Sequence, residues 1–151
     1  MTRWMKVGPA ELGAAAELIV AAEFTVSGYQ VFRPLSDVRK AELLVDLGEG
    51  RHLMVRVKSV RGPNYVFVPK SSFPLDNHRA LALVVFPEDA DQPELFLIPA
   101  RVWHELPPPF VAPDYAGLKS KPEYGIRLNS KWREQLATWR VRPGDPLPAA
   151  F

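Results

Sequence analysis

The chain contains no cysteine among its 151 residues. Disulfides, zinc–thiolate sites and thiol nucleophiles are therefore excluded, and a reducing compartment is the simplest setting for the protein. The apolar stretch at residues 14–22 is interrupted by Glu17 and is too short to span a bilayer, and no cationic leader precedes a run of the signal-peptide type. We therefore expect a cytoplasmic protein with no membrane partner.

Several common catalytic signatures are also missing. No serine lies in a G-x-S-x-G elbow, and no G-x-x-x-x-G-K phosphate loop is present, because Gly48 and Gly50 belong to a short hairpin connection. His78 and His104 have no partner at metal-ligand spacing, so a zinc site is not expected. Serine hydrolase, P-loop and zinc chemistry are therefore unsupported.

The composition is that of one compact domain. Hydrophobic residues make up 47% of the chain, which is enough to build a core without covalent staples. We predict a single domain over residues 1–141 and a proline-rich C-terminal tail over residues 142–151. Lys plus Arg number 19 against 17 Asp plus Glu, so the net charge of +2 permits a polyanionic partner without demanding one.

Hydrophobic periodicity predicts alternating helices and strands. Residues 9–23 form a helix whose apolar positions recur at spacings of three and four, with Pro9 near its start and Gly28 beyond its end. A further helix runs through Trp139 with Ser130 as its N-cap and has Trp132, Leu136 and Trp139 on one face. The stretch at residues 107–125 is irregular, with residues 126–128 as a last edge strand. The remaining elements are strands at 29–33, 42–47, 51–60, 65–68, 81–86 and 95–98, a turn or short helix at 71–78 and a short helix at 100–105.

The strands at 42–47 and 51–60 are predicted to form a hairpin closed by residues 48–50. A symmetric closure places Asp46 opposite His52 and Glu42 opposite Arg56. One face of the hairpin then carries a buried apolar layer of Leu43, Val45, Leu47, Leu53, Val55 and Val57. The other face carries polar and apolar side chains, and we expect helix one to cover part of it.

This order of elements, with an acidic second strand and a lysine near the end of the third, resembles the PD-(D/E)XK nuclease superfamily. Archaeal Holliday junction resolvases and small intron-encoded endonucleases are the members it resembles most, and the resemblance covers residues 9–98. It implies an α/β restriction-endonuclease-like core, in which a central mixed β-sheet is flanked by helices. It also implies a nucleic-acid partner, DNA above all, and a homodimer as one way to cut two strands.

The resemblance carries over to individual residues. It implies Glu17 and Glu42 as catalytic carboxylates and ligands of Mg²⁺ or Mn²⁺, with Asp46 as the alternative second acid, and Lys58 as the catalytic cation. Carboxylates suit hard divalent ions, which polarise phosphoryl oxygens and generate hydroxide. A lysine beside them orients the attacking water and offsets charge developing on the phosphate.

Arg56 departs from the pattern of that superfamily, which has an acid or Gln at the corresponding position. A guanidinium is permanently charged and contributes no ligand atom, so metal affinity should fall. The alternative is an inactive nuclease-fold module that binds nucleic acid or a protein partner, in which phosphate is contacted by Arg56, Lys58, Arg61 and Arg33. His52 is either a further phosphate contact or a solvated strand histidine.

Overall fold

The computed structural model describes residues 2–36, 43–147 and 151, so Glu42 lies outside the described residues. The helices are α1 (Pro9–Val26), α2 (Val102–Glu105) and α3 (Trp132–Gln135). Short 3₁₀ turns lie at Lys70–Ser72 and Ala137–Trp139. The strands are β1 (Gln30–Phe32), β2 (Leu43–Gly48), β3 (Arg51–Arg61), β4 (Tyr65–Pro69), β5 (Arg79–Phe86), β6 (Glu94–Pro99), β7 (Phe110–Val111), β8 (Glu123–Arg127) and β9 (Arg140–Val141).

A six-stranded sheet in the order β1-β2-β3-β5-β6-β9 is the centre of the molecule. The pairing of β3 with β5 is parallel and the other pairings are antiparallel, so the sheet is mixed. Every residue of β6 and all but the first of β5 are buried. Their near-continuous apolar sequence therefore reflects packing on both faces, as predicted.

Helix α1 packs on one face of this sheet. Its buried residues Leu12, Ala16, Val20 and Phe24 recur at every fourth position and form one core with Leu43, Val45, Leu53, Val55 and Val57. Five of the six side chains predicted for the apolar layer of the hairpin are thus buried, and Leu47 is half-buried. The expectation that helix one covers the opposite face is wrong, because the fully apolar face offers a larger area to bury.

The opposite face is covered by a second layer. A three-stranded sheet in the order β4-β8-β7 packs there with α2 and α3 around Phe73, Phe96, Ile126 and Leu136, all at most 1% exposed. The stretch at residues 107–125 therefore contains β7 and the start of β8, and β8 is a central strand instead of the predicted edge strand. Gly125 and Glu123 weaken the strand signal of β8 in the sequence.

The β2–β3 hairpin has the predicted register. Leu44 pairs with Met54 and Asp46 with His52, and a bulge then brings Gly48 opposite Arg51. The Asp46 carboxylate accepts a hydrogen bond from the Gly48 amide at 2.8 Å and so fixes this turn. No helix among the described residues is long and apolar enough to cross a membrane.

Candidate functional site

Strand β3 presents Arg56 and Lys58 on the same face. They pair with Leu81 and Leu83 of β5, whose side chains belong to the core under the second layer. Residues two apart on a strand share a face. Both cations therefore point away from α1 and toward the side of the sheet that the β4-β8-β7 layer covers.

Arg56 is buried, with 8% of its surface exposed. Its Nη2 donates to Ser72 Oγ at 2.9 Å, and Ser72 Oγ lies 3.3 Å from the Pro69 carbonyl oxygen to which it donates. The guanidinium is therefore anchored to the turn that follows β4. It places a permanent positive charge at the position where the resemblance calls for an acid or Gln.

Lys58 is half-buried, and its ammonium lies 5.9 Å from the centre of the Phe67 ring in β4. A cation at this distance from an aromatic face is attracted by the ring quadrupole. The contact joins the third strand of the central sheet to the outer surface of the second layer. The side chain predicted to be catalytic thus borders an exposed aromatic surface.

Glu17 lies on α1, on the other side of the central sheet from Lys58. Its Oε2 is 3.3 Å from Nη2 of Arg33, which follows β1 and is 64% exposed. The structure brings these two predicted residues together as an ion pair and does not bring Glu17 to Lys58. Asp46 accepts a hydrogen bond from the Gly48 amide, and Glu42, the other predicted acid, lies outside the described residues.

Two further predicted residues occupy separate surroundings. His52 is exposed opposite Asp46, a position compatible with both of its predicted roles. Arg61 donates through Nη2 to the Val7 carbonyl oxygen, which ties the end of β3 to the segment before α1. Arg61 and Arg33 therefore lie beside different parts of the molecule from Arg56 and Lys58.

The described residues do not fit a metal ion. In residues 2–36, 43–147 and 151, no three His, Cys, Asp or Glu side chains are grouped so that they could hold one. Glu17 faces a guanidinium, and the middle position of the motif carries Arg56. We therefore derive no catalytic step through Mg²⁺ or Mn²⁺.

The outer face of the second layer carries aromatic residues that the sequence reasoning missed. Tyr65 and Phe67 alternate along β4 with the buried Val66 and Val68. Their rings stack at 5.9 Å between centres and 19° between planes, and the Arg127 guanidinium lies 5.3 Å from the Tyr65 ring centre. The alternation in β4 is visible in the sequence and could have indicated that Tyr65 and Phe67 share an exposed face. The position of Arg127 beside Tyr65 could not be predicted without the β4–β8 pairing.

Tyr65 is held by a hydrogen bond from its phenol to the Glu123 carboxylate. Burial of the phenol and the neighbouring Glu123 both raise the pKa of Tyr65 above its usual range. The phenol therefore keeps its proton at neutral pH and remains a donor. Glu123 itself is buried, with 8% of its surface exposed.

The comparisons with known proteins concern the fold. No protein-family model matches the chain. No curated protein is significantly similar to it in sequence. A Holliday junction resolvase from the archaeal hyperthermophile Archaeoglobus fulgidus is similar in structure, with a TM-score of 0.53 at 10% identity over 86% of this chain and 90% of the resolvase.

A bacterial homing endonuclease is also similar, with a TM-score of 0.51 at 17% identity over 95% of this chain and 84% of the endonuclease. At identities this low the likeness shows a shared fold only, and a shared fold does not assign a function. The predicted fold class is confirmed: this chain has a restriction-endonuclease-like α/β fold with a six-stranded mixed central sheet.

Proposed function

We propose that this protein binds nucleic acid through phosphate contacts made beside β3, without metal-dependent hydrolysis. The observation that carries the proposal is the pair of cations, Arg56 and Lys58, on one face of the third strand of a restriction-endonuclease-like fold. An anchored, buried guanidinium raises the positive potential at the surface above it. Lys58 supplies the phosphate contact at that surface.

The choice of binding over hydrolysis rests on Arg56 and on the surroundings of Glu17. A metal ion needs several oxygen ligands that converge, and Arg56 adds positive charge in the place of one of them. Glu17 is paired with Arg33 instead. The polar groups of the described residues therefore suit an anion better than a cation at this strand.

The test measures the association of the full chain with labelled DNA in EDTA over a series of salt concentrations. Binding should weaken as salt increases, because each phosphate contact releases counterions. Lys58→Ala should weaken binding to every sequence and lower the slope of log K against log salt by about 1. Lys131→Ala, which removes an exposed lysine at the start of α3, is the matched control and should leave the slope unchanged.

Salt-sensitive binding that responds equally to the two lysine variants would place the contact elsewhere on the surface. An absence of any salt-sensitive association with DNA or RNA would overturn nucleic-acid binding altogether. In that case the fold would serve a protein partner.

The second candidate is a divalent-metal-dependent nuclease that uses Glu17, Glu42 and Lys58. It is favoured by the position of Lys58 on the third strand and by the likeness of the fold to a resolvase and a homing endonuclease. Incubation with Mg²⁺ or Mn²⁺ and branched, duplex or single-stranded DNA tests it beside Lys58→Ala. Cleavage that Lys58→Ala abolishes and Arg56→Gln increases would establish this second candidate in place of the first.

A further inference from the structure

Four side chains form a continuous row on the surface of the second layer, which we call the aromatic row: Lys58, Phe67, Tyr65 and Arg127. The Lys58 ammonium is 5.9 Å from the Phe67 ring centre, the two rings are 5.9 Å apart, and the Arg127 guanidinium is 5.3 Å from the Tyr65 ring centre. Each end of the row is a cation and its middle is a pair of stacked rings. Both rings are exposed, Tyr65 by 39% and Phe67 by 46%.

The Tyr65 ring is held in position from below and from its tip. Gly125 of β8 lies under it, and a Cβ atom at that position would come within 2.6 Å of the Tyr65 ring carbon Cζ. The phenol donates to the buried carboxylate of Glu123. Gly125 therefore has no side chain at the point where the Tyr65 ring lies over the β8 backbone.

Apolar rings exposed on a sheet are candidates for contact with a partner, because covering them removes apolar surface from water. Cations border this pair of rings on both sides. One carboxylate, that of the buried Glu123, lies beside the row and accepts a hydrogen bond from the Tyr65 hydroxyl, whereas Lys58 and Arg127 place a cation at each end. The row therefore combines π-faces with positive charge. Unpaired nucleotides carry the complementary groups, a base with a π-face and a phosphate with negative charge.

We propose that the aromatic row is a binding platform for single-stranded nucleic acid, on which unpaired bases stack against Phe67 and Tyr65 while Lys58 and Arg127 contact the flanking phosphates. The inference rests on the proposed function and names its substrate class. In a duplex the π-faces of the bases are covered by neighbouring bases, so a flat aromatic platform on a sheet selects strands whose bases are free to stack.

The test compares three labelled strands of equal length: an oligothymidylate, an abasic strand with the same phosphates, and a duplex. The wild-type chain should bind the oligothymidylate more tightly than the abasic strand, by roughly ten-fold, because only the former provides rings for stacking. Phe67→Leu retains an apolar side chain of similar size but removes one of the two rings, and should reduce this difference. Tyr65→Phe retains the ring and should preserve it.

Lys58→Ala should weaken binding of all three ligands, because it removes a phosphate contact. Leu18→Ala, at an exposed apolar position on α1, is the control for surface substitution and should bind like the wild type. Circular dichroism confirms that each variant is folded. The platform is overturned if Phe67→Leu binds the oligothymidylate as tightly as the wild type does. It is also overturned if Phe67→Leu weakens binding of the abasic strand and of the duplex as much as it weakens binding of the oligothymidylate.

The two proposals fail in different ways. If no strand binds in a salt-sensitive manner, the proposed function fails and the platform falls with it. If salt-sensitive binding persists and responds to Lys58→Ala but not to Phe67→Leu, the proposed function stands and the platform is wrong.

Discussion

Tyr65 is the residue whose ionisation the fold perturbs most clearly in the aromatic row. Burial and the Glu123 carboxylate both disfavour the phenolate, so the pKa of Tyr65 is raised in the folded chain. The folded state then holds this proton at a pH where the unfolded chain has lost it. The associated stability is complete below the unfolded pKa and is lost as pH rises through the folded pKa.

We therefore expect Tyr65→Phe to change the alkaline titration of the chain, followed by the absorbance of its tyrosinates. The chain has 4 tyrosines, and the variant should lose an increment that lies above the ordinary tyrosine range near pH 10. Loss of an increment within the ordinary range would show that Glu123 does not perturb this phenol in solution. Denaturation midpoints at each pH identify the range in which the chain remains folded.

For individual residues, the sequence predicted which strand face a side chain occupies better than it predicted what that side chain contacts. Residues two apart on a strand share a face, and Arg56 and Lys58 do lie on one face of β3 in the structure. The burial of Arg56 and its bond to Ser72 depend on how the second layer packs. That packing brings together residues distant in the chain, and no local pattern encodes it.

At the scale of elements, the β4–β8 pair depends on the fit between Tyr65 and Gly125. A methyl group at position 125 would overlap the phenol ring, which is tied to Glu123 and cannot move without losing that hydrogen bond. Gly125→Ala should therefore destabilise the chain by about 1–3 kcal/mol, the usual cost of overpacking.

A double-mutant cycle measured by urea denaturation isolates the cause. Gly125→Ala should cost less in a Tyr65→Ala background, because the three atoms nearest to the added methyl group all belong to Tyr65. Equal costs in the two backgrounds would show that the glycine is required by the strand backbone and not by the ring.

The elements that the sequence predicted well are those defined by neighbouring residues. The β2–β3 register follows from a short turn and from apolar alternation, and both are local. The side of the sheet on which α1 packs was predicted wrongly, because an amphipathic helix does not specify which of two sheet faces receives it. Strand β7 was missed because two residues carry no periodicity.

At the scale of the whole molecule, the order of elements was sufficient to predict a restriction-endonuclease-like fold, since consecutive elements of such domains are usually neighbours in space. The second layer was not predicted, because it depends on pairing β4 with β8 across the chain. The aromatic row exists only as a consequence of that pairing. The site that we propose for unpaired bases is therefore a property of the tertiary fold.

The central sheet lines both cores, and this arrangement predicts that the two layers unfold together. Strands β5 and β6 contribute alternate side chains to the core under α1 and to the core under the second layer. Phe73 is fully buried in the latter, with its ring edge-to-face on Trp103 at 5.8 Å. Phe73→Ala should cost about 3–5 kcal/mol, because it leaves a cavity among large side chains.

Two probes follow the two layers during denaturation of this variant. Helical circular dichroism reports mainly on α1, which has 18 residues against 4 each in α2 and α3. In a Trp4→Phe background, tryptophan fluorescence arises from residues that pack in the second layer. If both layers form one cooperative unit, Phe73→Ala shifts both transitions to the same lower midpoint. A fluorescence transition that moves alone would mean that the layer bearing the aromatic row unfolds independently of the central sheet.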